Sequence, residues 1–484
     1  MRIAKLEYKW LVGIVYTLAL FMDLLDMSVT NVAIPTLAKE FNATTTTIEW
    51  VITGYLLSLA LFIPISGWLG DRFGTKQTFI GALSIFVGGS LLAGMAWSVE
   101  SLIAFRVLQG VGGGMLTPVG MTMLFRAFPP SERAAASAIL TIPVAIAPAL
   151  GPIVGGYLVD YQSWRWIFFI NIPVGISALI VSALVLREDT QEDAGPLDLW
   201  GFVLSGAGIV SVVYALAQAG QHGFGDSQVL LFGIGGLLLV AAFVLVELRA
   251  AQPMVDVRLL RDKLFAVTNV VLLTANASMM GSFFLLPLLL QTQKGLSALD
   301  VGLMTFPIAL GVAVMSKPAA SLYESVGPRR LLVVGLSGNM VMTLLLAFVN
   351  YDTSSWLIAG NMFVRGLFLA FVFVPMQAVA FATISPEATG RASSIFSVTR
   401  QVAASFGVAV LATALTNRLD FHQAILGAPE TRDAALVAFQ DTFIFAGVLG
   451  IAGIVAAFFI DDRAVSEASE RSHEYGEPEP VGAH

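Results

Sequence analysis

Fourteen apolar stretches, each near the ~20 residues a helix needs to cross a bilayer, constrain this chain more than any motif does. They lie near 10–34, 46–69, 77–97, 101–125, 134–159, 166–186, 197–217, 228–248, 264–290, 298–321, 331–350, 355–381, 392–416 and 440–460. Inside a bilayer only helices and closed barrels satisfy every backbone polar group, and no series of alternating ten-residue strands marks a barrel. The chain is 57% apolar and 12% charged, against roughly 25% charged in soluble domains. An all-α membrane protein of about 14 spans is the expected fold class. The charged start, Met1 to Lys9, resembles the start of a signal peptide. The apolar stretch that follows is too long for one, carries aspartates and lacks a small-residue cleavage site, so an uncleaved first helix is expected.

Several chemistries are excluded early. There is no cysteine, hence no disulfide or thiolate metal site. The four histidines (His222, His422, His473, His484) are scattered through loops and tail, so no metal site is expected. Gly112 to Gly114 lie inside a helix with no Lys-Ser/Thr after them, which is no nucleotide cradle and argues against ATP as the driving force. No nucleic-acid partner is expected.

Orientation follows from the basic residues. One set of loops carries sixteen lysines and arginines, from Arg2 to Arg463, and the opposite set carries five (Lys39, Arg165, Lys294, Arg418, Arg432). That bias places both termini in the cytoplasm of a multi-pass protein in the plasma or inner membrane. Residues 461–484 read as an acidic, disordered cytoplasmic tail.

Within the first stretch stand Asp23 and Asp26. An ionisable group at membrane depth costs at least ~2.5–3.5 kcal/mol and marks an ion path or proton relay. At i and i+3 the two acids project from the same side of a helix. Arg106, inside the fourth stretch, needs a partner at depth as well.

The chain also repeats itself. G-W-L-G-D-R-F-G-T-K at 67–76 aligns with A-S-L-Y-E-S-V-G-P-R at 320–329, pairing Asp71 with Glu324, Gly74 with Gly327 and Lys76 with Arg329. Pro35, Arg106, Pro118 and Arg133 meet Pro287, Arg365, Pro375 and Arg391 at nearly the same offset. Internal duplication is common in transporters. The offset exceeds the length of six helices by about 60 residues, which is the pair near 197–248. The expected domains are a six-helix half at 1–190, an inserted two-helix pair with linker at 191–256, a second half at 257–460 and the tail. Ser278 and Ala275 fall opposite Asp26 and Asp23, so any proton site belongs to the first half.

At this point the chain resembles the major facilitator superfamily, and more narrowly its fourteen-helix drug:proton antiporter branch. The resemblance rests on L-D-M-S-V-T-N-V-A-I-P at 25–35, the 67–76 loop, R-V-L-Q-G-V-G-G-G-M-L-T-P at 106–118, G-P-I-V-G-G at 151–156 and W-R-W-I-F-F-I-N-I-P-V-G at 164–175. It implies two six-helix halves plus the inserted pair. Its first-helix signature demands only Asp26; with Arg106 as that acid's leading partner and Asp23 as a second candidate read from its place on the helix, these three are the expected proton-coupling set. The resemblance implies a cytoplasmic gate of Gly67, Gly70, Asp71, Arg72, Gly74 and Lys76, in which Asp71 latches the halves against Arg126 and the helix start near Gly390 and Arg391. Glu324 marks the degenerate copy. Gly151, Pro152, Gly155 and Gly156 form the antiporter motif, with Ala147 where the longer pattern has glycine. Thr30, Tyr55, Asn276, Met280 and Phe283 are placed on cavity-lining helices.

The expected function is a proton-coupled exporter of hydrophobic or amphiphilic compounds, multidrug efflux first, with a lipid or lipid-like metabolite as the alternative cargo. The proton is the coupling ion, no cofactor is needed, and substrates and membrane lipids are the partners of a protein working as a monomer. With at most two cavity acids, lipophilic monocations and neutral or zwitterionic amphiphiles are expected over rigid dications. A membrane enzyme or sensor lacks support, because no loop is long enough for a soluble domain and no acid or histidine cluster lies at one face.

Overall fold

Long apolar runs broken by glycine, proline and short charged loops can satisfy their backbones in lipid only as helices, and helices are what forms. The computed structural model describes residues 7–43, 45–190, 196–250, 253–426 and 432–467. Among these, 14 helical segments are long and apolar enough to cross a membrane, and no strand occurs. The first six spans are α1 (Tyr8–Glu40), α2 (Thr45–Phe73), α3 (Thr75–Gly94), α4 (Val99–Ala127), α5 (Arg133–Tyr161) and the pair α6 (Trp166–Phe169) and α7 (Asn171–Val185). Then come α8 (Leu199–His222) and α9 (Ser227–Arg249). The remaining spans are α10 (Lys263–Thr292), the pair α11 (Ala298–Thr305) and α12 (Pro307–Val326), α13 (Pro328–Leu345), α14 (Ser355–Ala380), α15 (Thr389–Leu426) and α16 (Arg432–Ala457).

Two spans break for the same reason. Pro173 and Pro307 have no N–H for the carbonyl one turn earlier, and the helix steps at Ile170 and at Phe306. Helix starts are capped by side chains: Asp198, Asp226, Asp262 and Ser354 each accept first-turn N–H groups. Gly74 and Gly327 precede α3 and α13 with the same backbone, φ +89° in both. That left-handed conformation favours glycine.

Packing sorts the helices into groups. In the first, α1 lies along α5, and α4 packs against α2 and α3; in the second, α10 lies along α15 and α16, and α14 packs against α12 and α13. The groups meet where α5 touches α12 and α14, and where α2 and α4 touch α15. The pair α8–α9 packs on itself, and α8 rests on both α2 and α15, covering the seam. Thr413 on α15 donates to the Ala219 carbonyl at 2.8 Å, while Trp50 of α2 stacks on Tyr214. Helix α9 turns Leu230, Leu231, Ile234, Leu237 and Leu238 outward, as a lipid-facing helix should.

Two boundaries differ from the sequence reading. Helix α15 runs on to Leu426 and α16 already starts at Arg432, well beyond the apolar limits at 416 and 440. Polar contacts support the extension: His422 meets Asp441 at 2.9 Å, with Arg418 at 3.8 Å from the same carboxylate. The folded part also passes Ile460. Residues 462–467 are helical, and the Asp462 carboxylate accepts the Arg329 backbone N–H at 2.9 Å. The rest of the expected tail, 468–484, lies outside the described residues.

Candidate transport site and gate

The two acids on α1 have different surroundings. Asp26 is fully buried and saturated: Arg106 donates to one carboxylate oxygen at 2.5 Å, and Gln109 and Asn171 donate to the other at 3.0 and 2.7 Å. Arg106 also donates to the Gln109 side-chain oxygen and the Val51 carbonyl, with Tyr55 beneath its guanidinium at 4.2 Å. Asn171 continues the chain to Ser90, and Ser90 to the Phe168 carbonyl. Asp26 therefore ties α1 to α4 and α7 through charge-assisted bonds, the strong kind.

Asp23, one turn earlier, has a single bond, from the Tyr55 hydroxyl. Its second oxygen has no partner among the described residues, and 4% of the residue stays exposed, against none of Asp26. The glycines of α4 make room for this. An added Cβ on Gly113 would lie 2.7 Å from the Tyr55 hydroxyl and 3.2 Å from the Asp23 carboxylate. On Gly110 and Gly114 it would strike the α2 backbone at 2.5 Å, and on Gly112 the α3 backbone at 2.5 Å. G-V-G-G-G thus lets one helix approach three neighbours at once.

At the end of the bundle carrying the basic loops, the two groups are fastened together. Asp71 accepts Arg126 at 2.8 Å. Arg126 also reaches Asp189 and the Pro386 carbonyl, both at 3.0 Å. A Cβ on Gly67 would stand 2.8 Å from the Gly390 carbonyl, and Ser66 faces Ser394 at 3.3 Å. The charge of half-buried Arg391 acts on Asp71. At Gly74 the positive φ is what favours glycine; the Glu188 carboxylate that an added Cβ would meet is the end of an exposed, flexible side chain. Lys76 donates to the Ala183 carbonyl at 2.9 Å. Gly70 has ordinary room, so close packing does not require glycine there, and Arg72 is exposed. The side chain of Glu324 lies outside the described residues. A further fastening was not singled out from sequence: buried Arg133 donates to the Phe381 carbonyl, and Phe125 stacks on Phe381 at 4.5 Å. Its signal was the pairing of Arg133 with Arg391 in the repeat.

In α5, Pro152 cannot donate to the Pro148 carbonyl, and Ser28 of α1 donates to it instead at 3.0 Å. A Cβ on Gly151 would fall 2.0 Å from that same Ser28 hydroxyl, and one on Gly155 would lie 3.2 Å from Val29. An added Cβ on Gly156 would meet nothing within 4 Å among the described residues, so close packing does not require glycine there. The α5 helix runs unbroken through the motif.

The residues assigned to a cavity wall divide. Thr30 is buried and donates to the Asp26 carbonyl on its own helix, so it faces no cavity. Tyr55 is fully buried and belongs to the acid site. Asn276 donates to the Arg400 carbonyl at 2.9 Å. Met280 and Phe283 are half-buried, and the Phe283 ring lies against Arg365 at 4.8 Å. Among the described residues no group of three or more His, Cys, Asp or Glu is arranged to hold a metal.

Comparison with known proteins adds a family context. The profile of the Major Facilitator Superfamily matches residues 16–408 and 270–481. The chain is 34% identical over 415 residues to the multidrug resistance protein B homolog of Mycobacterium tuberculosis (strain CDC 1551 / Oshkosh), covering 85% of this chain and 77% of that protein. It is 30% identical over 420 residues to the multidrug export protein EmrB of Escherichia coli (strain K12), covering 85% and 81%. The crystal structure of the human organic anion transporter MFSD10 superposes with a TM-score of 0.61 at 16% identity, over 92% of this chain and 100% of that one. This last likeness concerns the fold alone.

Proposed function

This chain belongs to the Major Facilitator Superfamily, in its fourteen-helix drug:proton antiporter branch, and from that membership we propose that it is a proton-coupled exporter of hydrophobic or amphiphilic compounds. It works as a monomer in the cell membrane, with both termini in the cytoplasm and no cofactor beyond the proton it exchanges. The observation that carries this reading is the unequal state of two acids at membrane depth. Asp26 is locked to Arg106, Gln109 and Asn171, whereas one Asp23 oxygen has no partner among the described residues.

Asp23 is the residue that carries the proton, and Tyr55 orients its carboxyl. Asp26 and Arg106 hold α1 against α4 and set the field in which Asp23 works. With Asp71, Arg126, Arg133 and Gly390 holding the basic end shut, the cavity faces outward; Asp23 then takes a proton as substrate leaves. When that end parts, Asp23 releases the proton inward and substrate enters from the cytoplasm. Rocking of two halves about a midplane site is the common scheme for such folds. The membrane potential contributes ~2.3 kcal/mol per charge per 100 mV, enough for roughly fifty-fold accumulation.

Proteoliposomes with an imposed pH gradient test the proposal. An amphiphilic dye should accumulate against its own gradient and run out when an ionophore removes the pH difference. Downhill flux that ignores the pH gradient would overturn antiport and favour the alternative cargo, a lipid-like molecule moved without proton drive.

A further inference from the structure

The second group of helices places arginines at membrane depth without acids beside them. Arg400, about a third of the way along α15, is half-buried, and its carbonyl accepts Asn276 of α10. Its guanidinium makes no hydrogen bond or ion pair among the described residues, yet its charge acts on Asp23 and on Tyr16, both of α1. Its charge is therefore within electrostatic reach of the proton-coupling helix. Arg365 on α14 is fully buried; its Nε donates to Asn339 at 2.8 Å, and its two terminal nitrogens have no acceptor among the described residues. Asn276, Met280 and Phe283 stand at i, i+4 and i+7, on one face of α10. Arg400 lies at one end of that face, and Arg365 lies behind its other end, against Phe283.

The internal repeat sharpens the contrast. Arg106, the counterpart of Arg365, is matched by Asp26, whereas the counterpart of Asp26 is Ser278, whose hydroxyl donates to the Ala446 carbonyl. Cations at this depth pair with something or are costly. Asp23 brings at most one negative charge against the two positive charges of Arg365 and Arg400. A guanidinium offers paired N–H donors that match a carboxylate or a phosphate.

We propose that Arg400 receives an anionic group of the transported amphiphile, a carboxylate or phosphate head on an apolar body, opposite Asp23. This rests on the exporter reading and names its substrate class. It moves the expected preference away from monocations.

The test uses the full chain, purified, and dansyl-labelled undecyl probes that differ only at the head: carboxylate, phosphate monoester, primary amide and trimethylammonium. Binding is read from dansyl fluorescence. Wild type should bind the carboxylate or the phosphate about tenfold more tightly than the amide, a gap of ~1.4 kcal/mol. Whichever anion gains more identifies the head group. Arg400→Gln should collapse the ratio to about one, and Arg400→Lys, which keeps the charge but not the fork, should leave an intermediate ratio. Equal binding of anion and amide by wild type, a preference for the trimethylammonium probe, or a ratio unmoved by Arg400→Gln would each overturn the proposal. If Arg400→Gln does not fold, the wild-type and Arg400→Lys ratios still decide it. Proton-driven uptake of the neutral amide by wild type tests the exporter reading separately.

Discussion

Replacing Asp26 by Asn keeps its shape but leaves the Arg106 guanidinium, 1% exposed, without a carboxylate. Breaking a buried pair on one side costs ~3–5 kcal/mol. Asp26→Asn is expected to lower the melting temperature of the purified protein clearly, and the double variant with Arg106→Gln to regain part of the loss. Equal stability of wild type and Asp26→Asn would contradict the structural role given to the pair. Gly113→Ala acts more locally, because its methyl enters the contact between Tyr55 and Asp23. Proton-driven uptake should fall about tenfold, the effect of ~1.4 kcal/mol of lost positioning, and Tyr55→Phe should add little on top. Additive losses in the double variant would show that the glycine serves packing alone. Charges such as Asp23, Asp26 and Arg106 were legible in the sequence because a charged residue in an apolar run needs a reason. Gln109, Asn171 and Ser90 were not, since a neutral polar residue in such a run carries no signal and Asn171 meets a partner 145 positions away.

Among the elements, the meeting of α2 and α15 is the part that has to move if the cavity is to open inward. The Ser66 and Ser394 hydroxyls are 3.3 Å apart there, and the chain has no cysteine of its own. In a Ser66→Cys and Ser394→Cys double variant, oxidation should stop transport and a reductant should restore it. Full transport by the oxidised form would mean that these helix ends need not part. The number and class of helices followed from hydropathy, because length and apolarity are what a bilayer selects. Neighbours did not follow. Hydropathy says that α8 and α9 cross, but not that α8 covers the seam between α2 and α15 while α9 faces lipid. It also missed the polar ends of α15 and α16, held by Asp441 with His422 and Arg418 rather than by apolar burial.

Across the whole molecule, the proposed cycle divides the work: the fastenings at the basic end would decide which side the cavity sees, and Asp23 whether a proton rides along. Asp71 belongs to the first function. Asp71→Asn should slow turnover by weakening one end state while leaving equilibrium dye binding near the wild-type value, and an equal fall in both would remove it from the latch. On the proposed reading, the repeat makes the proton site one-sided. The same loop backbone occurs at Gly74 and Gly327, yet α10 carries Ala275 and Ser278 where α1 carries Asp23 and Asp26. The most direct check of the central claim follows protons and substrate together in vesicles filled with a pH-sensitive dye, comparing wild type with Asp23→Asn. A substrate gradient should drive protons the opposite way through wild type, while Asp23→Asn should still exchange substrate down its gradient with no proton movement. Substrate-linked proton flux through Asp23→Asn at the wild-type level would contradict the account.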